Sequence, residues 1–142
     1  MPITQVSVSV ENRPGKLNEI CDILEKEQIN IKAIMASSVM NPVQVHMIVS
    51  DPAKAETVLR ASGLNVSTRE VIAVATPDHP GGLNAVLRPL IESSVNVETL
   101  YPFINLRGEE AIVIIEVDKI NEAKEVLKKH WVKTYSTEIY KS

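Results

Sequence analysis

Aromatic side chains are scarce in this chain of 142 residues, with one Trp, three Tyr and one Phe inside a hydrophobic content of 44%. Any core must therefore be aliphatic. The central apolar positions, Val6, Val8 and Val45 to Val49, offer none of the stacking rings by which an RNA-binding sheet holds bases. Cysteine is scarcer still: Cys21 stands alone, which excludes an intrachain disulfide and a thiol-rich metal site. Positive charge is also lacking, since the net charge is −3. The long-range attraction that draws proteins to nucleic acid or anionic membrane is absent, and neither partner is expected. No apolar run approaches the roughly 18 residues that a membrane helix needs. Met1-Pro2-Ile3-Thr4-Gln5 has no basic start followed by an apolar stretch, so a cytoplasmic protein is expected.

The machinery of catalysis is missing in the same way. The three histidines, His46, His79 and His130, share no metal-ligand spacing with one another or with cysteines, so no metal and no cofactor are expected. No strained nucleophile turn of the GxSxG kind occurs. The expectation is a protein that is not an enzyme.

What the chain does contain is itself twice. Laying Pro14, Gly15, Leu17 and Asn18 on Pro80, Gly81, Leu83 and Asn84 gives an offset of 66, which also pairs Ile29-Asn30-Ile31 with Val95-Asn96-Val97. Farther on the offset is 68, pairing Val45, Met47 and Val49 with Val113, Ile115 and Val117, and Ala55, Val58 and Leu59 with Ala123, Val126 and Leu127. The second copy has a longer hairpin loop. Two domains follow, residues 1–69 and 70–142.

Each copy has the same periodicities. Val6, Val8 and Val10 alternate with polar residues, the mark of a strand with one buried face. Pro14 suits a first helical turn, and Leu17, Ile20, Cys21 and Leu24 form the stripe of a helix running to about Glu27, in which Cys21 reads as core. Ile29 to Val39 and Val43 to Val49 form a hairpin about Met40-Asn41-Pro42. Asp51-Pro52 opens a second helix that Gly63 ends, and Leu64 to Thr68 is a last strand. The second copy predicts strands at Val71 to Thr76, Asn96 to Asn105, Ala111 to Val117 and Val132 to Ile139. Its helices fall at Pro80 to about Ser93 and about Lys119 to His130. Val66 to Val71 contains no flexible linker, so the copies should be rigidly related. Pro89 should bend its helix near Ala85, and Pro102 is tolerable only at a sheet edge or bulge. Tyr101 and Phe103 fit either packing or an apolar ligand pocket.

A polar loop before the first helix and an asparagine opening the second strand recur in both copies. Gly15 and Gly81 stand where the first helical N–H groups have no partner, a place that suits a carboxylate or phosphate. Turn formation by Pro-Gly with Asn12 or Asp78 as helix cap, and Asn30 or Asn96 as helix terminator, accounts for each feature separately.

Glu11-Asn12-Arg13-Pro14-Gly15-Lys16-Leu17 followed by Gln28-Ile29-Asn30-Ile31 resembles the opening half of an ACT domain, and Pro80-Gly81-Gly82-Leu83 with Ser94-Val95-Asn96-Val97 repeats it. The resemblance implies an α+β fold of two ferredoxin-like βαββαβ domains, antiparallel sheets of order 4-1-3-2 with helices on one face, and side-by-side pairing. It also implies a ligand site in the manner of the serine-binding ACT domains of phosphoglycerate dehydrogenase. There the loop of one domain meets the strand asparagine of another. Carried over by motif, the ligand-binding residues are Asn12, Arg13, Pro14, Gly15 and Asn30 in the first copy, and Asp78, His79, Pro80, Gly81 and Asn96 in the second. Val10 and Thr76 replace a histidine that contacts serine in that family, which leaves the ligand open, and an anionic Asp78 would favour a ligand's ammonium group.

The leading expectation is a regulatory protein that binds an amino acid or similar small metabolite between paired ACT domains, as a homodimer, with output through a partner enzyme or self-assembly. A structural subunit that docks on an enzyme through its sheet edges, without a ligand, is the alternative. A small isomerase or lyase using Asp78 and His79 is the third.

Overall fold

The computed structural model describes residues 2–37, 41–77, 79–104 and 111–141. The chain divides into two compact units, Thr4–Arg69 and Glu70–Ser142, the latter joined by Met1–Ile3. The first unit is built from β1 (Ile3–Val10), α1 (Lys16–Lys26), β2 (Ile31–Ser37), β3 (Val43–Val49), α2 (Pro52–Ala61) and the opening of β4 (Asn65–Thr76). The second takes the remainder of β4, then α3 (Gly82–Glu92), β5 (Val97–Pro102), β6 (Ala111–Val117), α4 (Ile120–Lys129), β7 (Thr134–Tyr135) and a 3-10 helix (Thr137–Lys141). The sheet neighbours run β2-β3-β1-β4 in the first unit, and β7 joins β4-β6-β5 in the second. Counted by each unit's own strands, both orders are 4-1-3-2, the α+β ferredoxin-like arrangement with antiparallel sheets that the resemblance implies.

Strand alternation decides which side chains meet the helices. In the register Val6 opposite Met47 and Val8 opposite Val45, the valines of β1 and the odd-numbered residues of β3 share one face. There they pack with Ile20, Leu24 and Leu59. The second core repeats this with Ile72, Val74, Val113 and Ile115 against Val86, Leu90 and Leu127. Both cores are aliphatic. Each fully buried branched side chain contributes about 1.5–3 kcal/mol from desolvation.

The four helices end alike. The residue after each C-cap is left-handed: Gln28, Gly63, Ser94 and Trp131, with φ of 57°, 84°, 59° and 59°. The next residue, Ile29, Leu64, Val95 or Val132, donates its N–H to the carbonyl of Leu24, Leu59, Leu90 or Leu127, at 2.9, 3.3, 2.9 and 3.0 Å. These are Schellman turns, which satisfy orphan carbonyls while apposing an apolar pair. A leucine, three residues, a left-handed residue and an aliphatic residue thus form a shared stop signal.

Several expectations change. β4 is one strand of 12 residues and does not break between Thr68 and Val71, because Asn65–Thr76 contains neither Gly nor Pro to interrupt it. The final strand shrinks from Val132–Ile139 to Thr134–Tyr135. Past it the Ser136 N–H bonds to the Glu138 carboxylate at 2.9 Å and the chain coils so that Ile139 is buried. Helix α1 begins at Lys16, leaving Pro14 in the preceding turn. Cys21 is exposed. The buried face of α1 follows Ile20 and Leu24, so the 100° step between adjacent residues turns Cys21 outward. Helix α3 continues through Pro89 to Glu92. Pro102 ends β5, an edge strand, as expected. Residues 38–40 and 105–110, in the two hairpin connections, lie outside the described residues.

Tyr101 and Phe103 are 2% and 7% exposed, which favours packing over a pocket lining. Burial, reinforced by the charge of Glu116, pushes the Tyr101 phenol far above its ordinary value. The fold therefore favours the protonated phenol. That contribution is complete below the unfolded value of about 10 and is lost progressively as pH rises from there toward the folded value. In an alkaline titration followed by phenolate absorbance, one of the three tyrosines should stay silent until the chain unfolds. Tyr101→Phe should remove that late component, and a profile unchanged by the substitution refutes the assignment.

Candidate functional site

The loops before α1 and α3 owe their shape to the two glycines. Gly15 and Gly81 are the N-caps, at φ 89° and 85°, and among the described residues neither helix has a side-chain cap. Asn12 thus does not cap α1; its N–H reaches the Asn41 Oδ1 at 3.4 Å. Left-handed backbone is open to glycine at little cost, so the turn needs no capping oxygen. The Glu19 N–H donates to the Gly15 carbonyl and the Ala85 N–H to that of Gly81, each at 3.0 Å. The N–H groups just before them, of Leu17 and Asn18 and of Leu83 and Asn84, precede the intrahelical ladder. Arg13 pairs with Glu11 at 2.9 Å, with both side chains in water. The His79 Nδ1–H donates to the Pro80 carbonyl at 2.8 Å. Pro14, Gly15, Pro80 and Gly81 are exposed. Asp78 lies outside the described residues.

The asparagines stand at the other end of the same helices, two residues beyond each left-handed stop. The Asn30 N–H bonds to Ser50 Oγ at 2.9 Å, and the Asn96 N–H to the Asp118 Oδ1 at 2.9 Å. The return bonds, Ser50 N–H to the Asn30 carbonyl and Asp118 N–H to that of Asn96, measure 2.9 and 3.1 Å. With their backbones held this way, both side chains remain exposed. A lysine reaches the adjoining helix C-terminus in each copy, Lys54 to the Glu27 carbonyl and Lys119 to that of Ser94, both at 3.2 Å. The negative end of the helix dipole favours a cation there.

Each asparagine borders a groove. Asn30 shares one of about 430 Å3 with Cys21, Leu24, Gln28 and Ile29. Asn96 shares one of about 380 Å3 with Leu87, Leu90, Ile91 and Val95. The first is more polar because Glu25 stands where Ile91 does in the second. Beside the grooves run β2 and β5, the edge strands of their sheets.

Within a unit, loop and asparagine are not brought together. They flank a helix of 11 residues, which at 1.5 Å per residue holds them about 16 Å apart. Within one copy the loop and the asparagine therefore stand at opposite ends of that helix.

A family model described as the ACT domain pair matches residues 1–138. The chain belongs to the ACT domain pair family. A crystal structure of a Bacteroides thetaiotaomicron protein is 32% identical, with a TM-score of 0.91, covering 100% of this chain and 98% of that one. The regulatory subunit of aspartate kinase from Thermus thermophilus, in a ligand-free form, gives a TM-score of 0.65 at 16% identity, covering 91% and 90% of the two chains. The Thermus flavus subunit gives 0.64 at 15% identity, covering 92% and 91%. At that identity the kinase subunits share the fold alone. No curated protein matches.

The ACT units contain, among the described residues, no group of three or more His, Cys, Asp or Glu able to hold a metal, and no helix long and apolar enough to cross a membrane. Three residues of the ACT loops escaped sequence reasoning. Ser50 and Asp118 anchor the asparagines and are visible only once the hairpin register is known. Gly82 is buried, and a Cβ on it would overlap the Pro77 carbonyl oxygen. The doubled glycine at 81 and 82 was the available signal for a close approach.

Proposed function

We propose that this ACT domain pair is a regulatory module that binds an amino acid or similar small metabolite. The ligand is held where ACT domains pair, with the loop of one domain facing the strand asparagine of another. The observation that carries the reading is the separation of the two half-sites along one helix: a small ligand touching both chemistries must bridge two domains. The N–H groups of Leu17, Asn18, Leu83 and Asn84, which precede the intrahelical ladder, suit its carboxylate, and the asparagine amides suit its polar backbone. In the second copy Asp118 sits beside Asn96 where the first copy has Ser50, which favours a ligand's ammonium group there. A ligand bridging domains binds one arrangement better than another and shifts the population toward it. The output then passes to a partner enzyme or through self-assembly, and we infer a cytoplasmic homodimer.

Thermal-shift screening with the twenty amino acids tests this. A ligand at a hundred times its Kd should add about 2.7 kcal/mol to the stability of the folded protein. Asn30→Ala and Asn96→Ala should each leave the unliganded melting temperature within about 2 °C while weakening the shift, because their side chains are exposed. No shift with any amino acid, or equal shifts in wild type and both variants, is incompatible with this site.

The exposed edges of β2 and β5, with Leu83 41% and Ile91 74% exposed along α3, favour a second reading: a structural subunit that docks on an enzyme through these edges. A stoichiometric enzyme partner together with no amino-acid effect would select it.

A further inference from the structure

Three of the four left-handed helix stops are occupied by small or flexible residues, and the fourth by Trp131. Its counterpart in the first copy is Gly63, and nothing lies within 4 Å of where a Cβ would stand on that glycine. Glycine is used there for its backbone freedom and not for space. A bulky side chain at positive φ is an outlier that the surrounding structure must enforce. The turn about Trp131 is made by backbone, with its own N–H bonded to the Lys128 carbonyl at 3.2 Å and that of Val132 to Leu127. The indole takes no part in the core and is 94% exposed. The fold accepts a strained residue and gains no packing from it.

The surroundings say what the indole meets. It stands between two grooves of the second unit, one of about 790 Å3 that includes Val71, Val132 and Tyr135, the other of about 580 Å3 with Val126 and Lys129. Lys128 borders both. Lys124 is paired with Glu70, and Lys133 lies 5.0 Å from the Tyr135 ring centre. Lys128 and Lys129 make no ion pair among the described residues. In a chain of net charge −3, residues 124–133 hold four lysines against one glutamate. We propose that Trp131, raised between the grooves and flanked by Lys128 and Lys129, is the anchor by which the chain docks on a partner protein, entering an apolar pocket bordered by carboxylates. Tryptophan is the side chain most enriched among residues that dominate interface energies, and unpaired cations beside it select and steer an acidic partner. Nucleic acid fits worse. Glu125 and Glu138 line the same grooves, where phosphates would meet them, and one indole is not a stacking series. The inference stands apart from the proposed metabolite site, which uses the ends of α1 and α3, whereas Trp131 follows α4.

Trp131 is the sole tryptophan, so its fluorescence reports on this surface alone. Peptides from a random display library are selected on the wild-type chain, with Trp131→Gly for counter-selection. The enriched peptides should pair an apolar anchor with clustered Asp and Glu, shift the Trp131 emission, and bind Lys128→Glu/Lys129→Glu about tenfold more weakly. Trp131→Gly should melt no lower than wild type, since glycine relieves the left-handed strain. A lower melting temperature makes Trp131 a structural residue and overturns the proposal. So do a failure to enrich, enrichment of peptides without acidic residues, and a Trp131 emission shift with a single-stranded oligonucleotide, which would assign the surface to nucleic acid.

Discussion

Leu90→Ala should lower stability by about 3 kcal/mol, within the range for emptying a buried leucine site, and move the thermal midpoint down by roughly 10 °C. Leu90 is fully buried, and its carbonyl receives the Val95 N–H that closes α3. The substitution thus opens a cavity and loosens the apolar pair across the helix stop, two residues from Asn96. Leu24→Ala, at the matching place before Asn30, should cost a similar amount. Denaturant unfolding by circular dichroism measures both. A loss below about 1 kcal/mol at either would mean that the stop signals do not hold the helix ends.

Gly82→Ala should cost about 2–3 kcal/mol despite adding one methyl group, as overpacking does where backbone cannot give way. The new Cβ would overlap the Pro77 carbonyl oxygen, and that oxygen already accepts the His79 N–H at 3.0 Å. The first copy supplies the control. Lys16 occupies the equivalent place, and its N–H lies 3.4 Å from the Arg13 carbonyl, against 3.0 Å from the Gly82 N–H to that of His79. The first loop is more open, so Lys16→Ala should stay within about 0.5 kcal/mol of wild type. Equal tolerance at 16 and 82 would show that the two loops have the same shape.

The doubled fold was legible because its signals are local. Alternating valines on β1 and the leucine stripes of the helices depend on near neighbours in sequence, and repetition excluded accidental matches. The misreadings share a cause as well. Proline's missing N–H suits Pro14 to a first helical turn and helical spacing puts Cys21 in the core stripe, but where a helix begins, and how it rolls on the sheet, depends on contacts with distant strands. Val132 to Ile139 has the composition of a strand, yet a ladder needs a partner, and of these residues only Thr134 and Tyr135 pair with β4. Pro89 is no misreading: α3 runs through it to Glu92, with Pro89 buried, as a helix expected to reach about Ser93 requires.

Of the candidate site, the sequence by itself determined the parts: a glycine-capped loop and an asparagine after a helix stop, each present twice because each is a short motif. Tertiary structure decided their relation. The helix between them holds loop and asparagine about 16 Å apart, and hairpin register brings Ser50 to one asparagine and Asp118 to the other. It also decided that Trp131 faces water at a position where its counterpart is glycine. Sequence motifs encode torsion angles and capping bonds formed within a few residues. Distances between motifs, and which side chains remain exposed, are set when helices pack on strands far away in the chain.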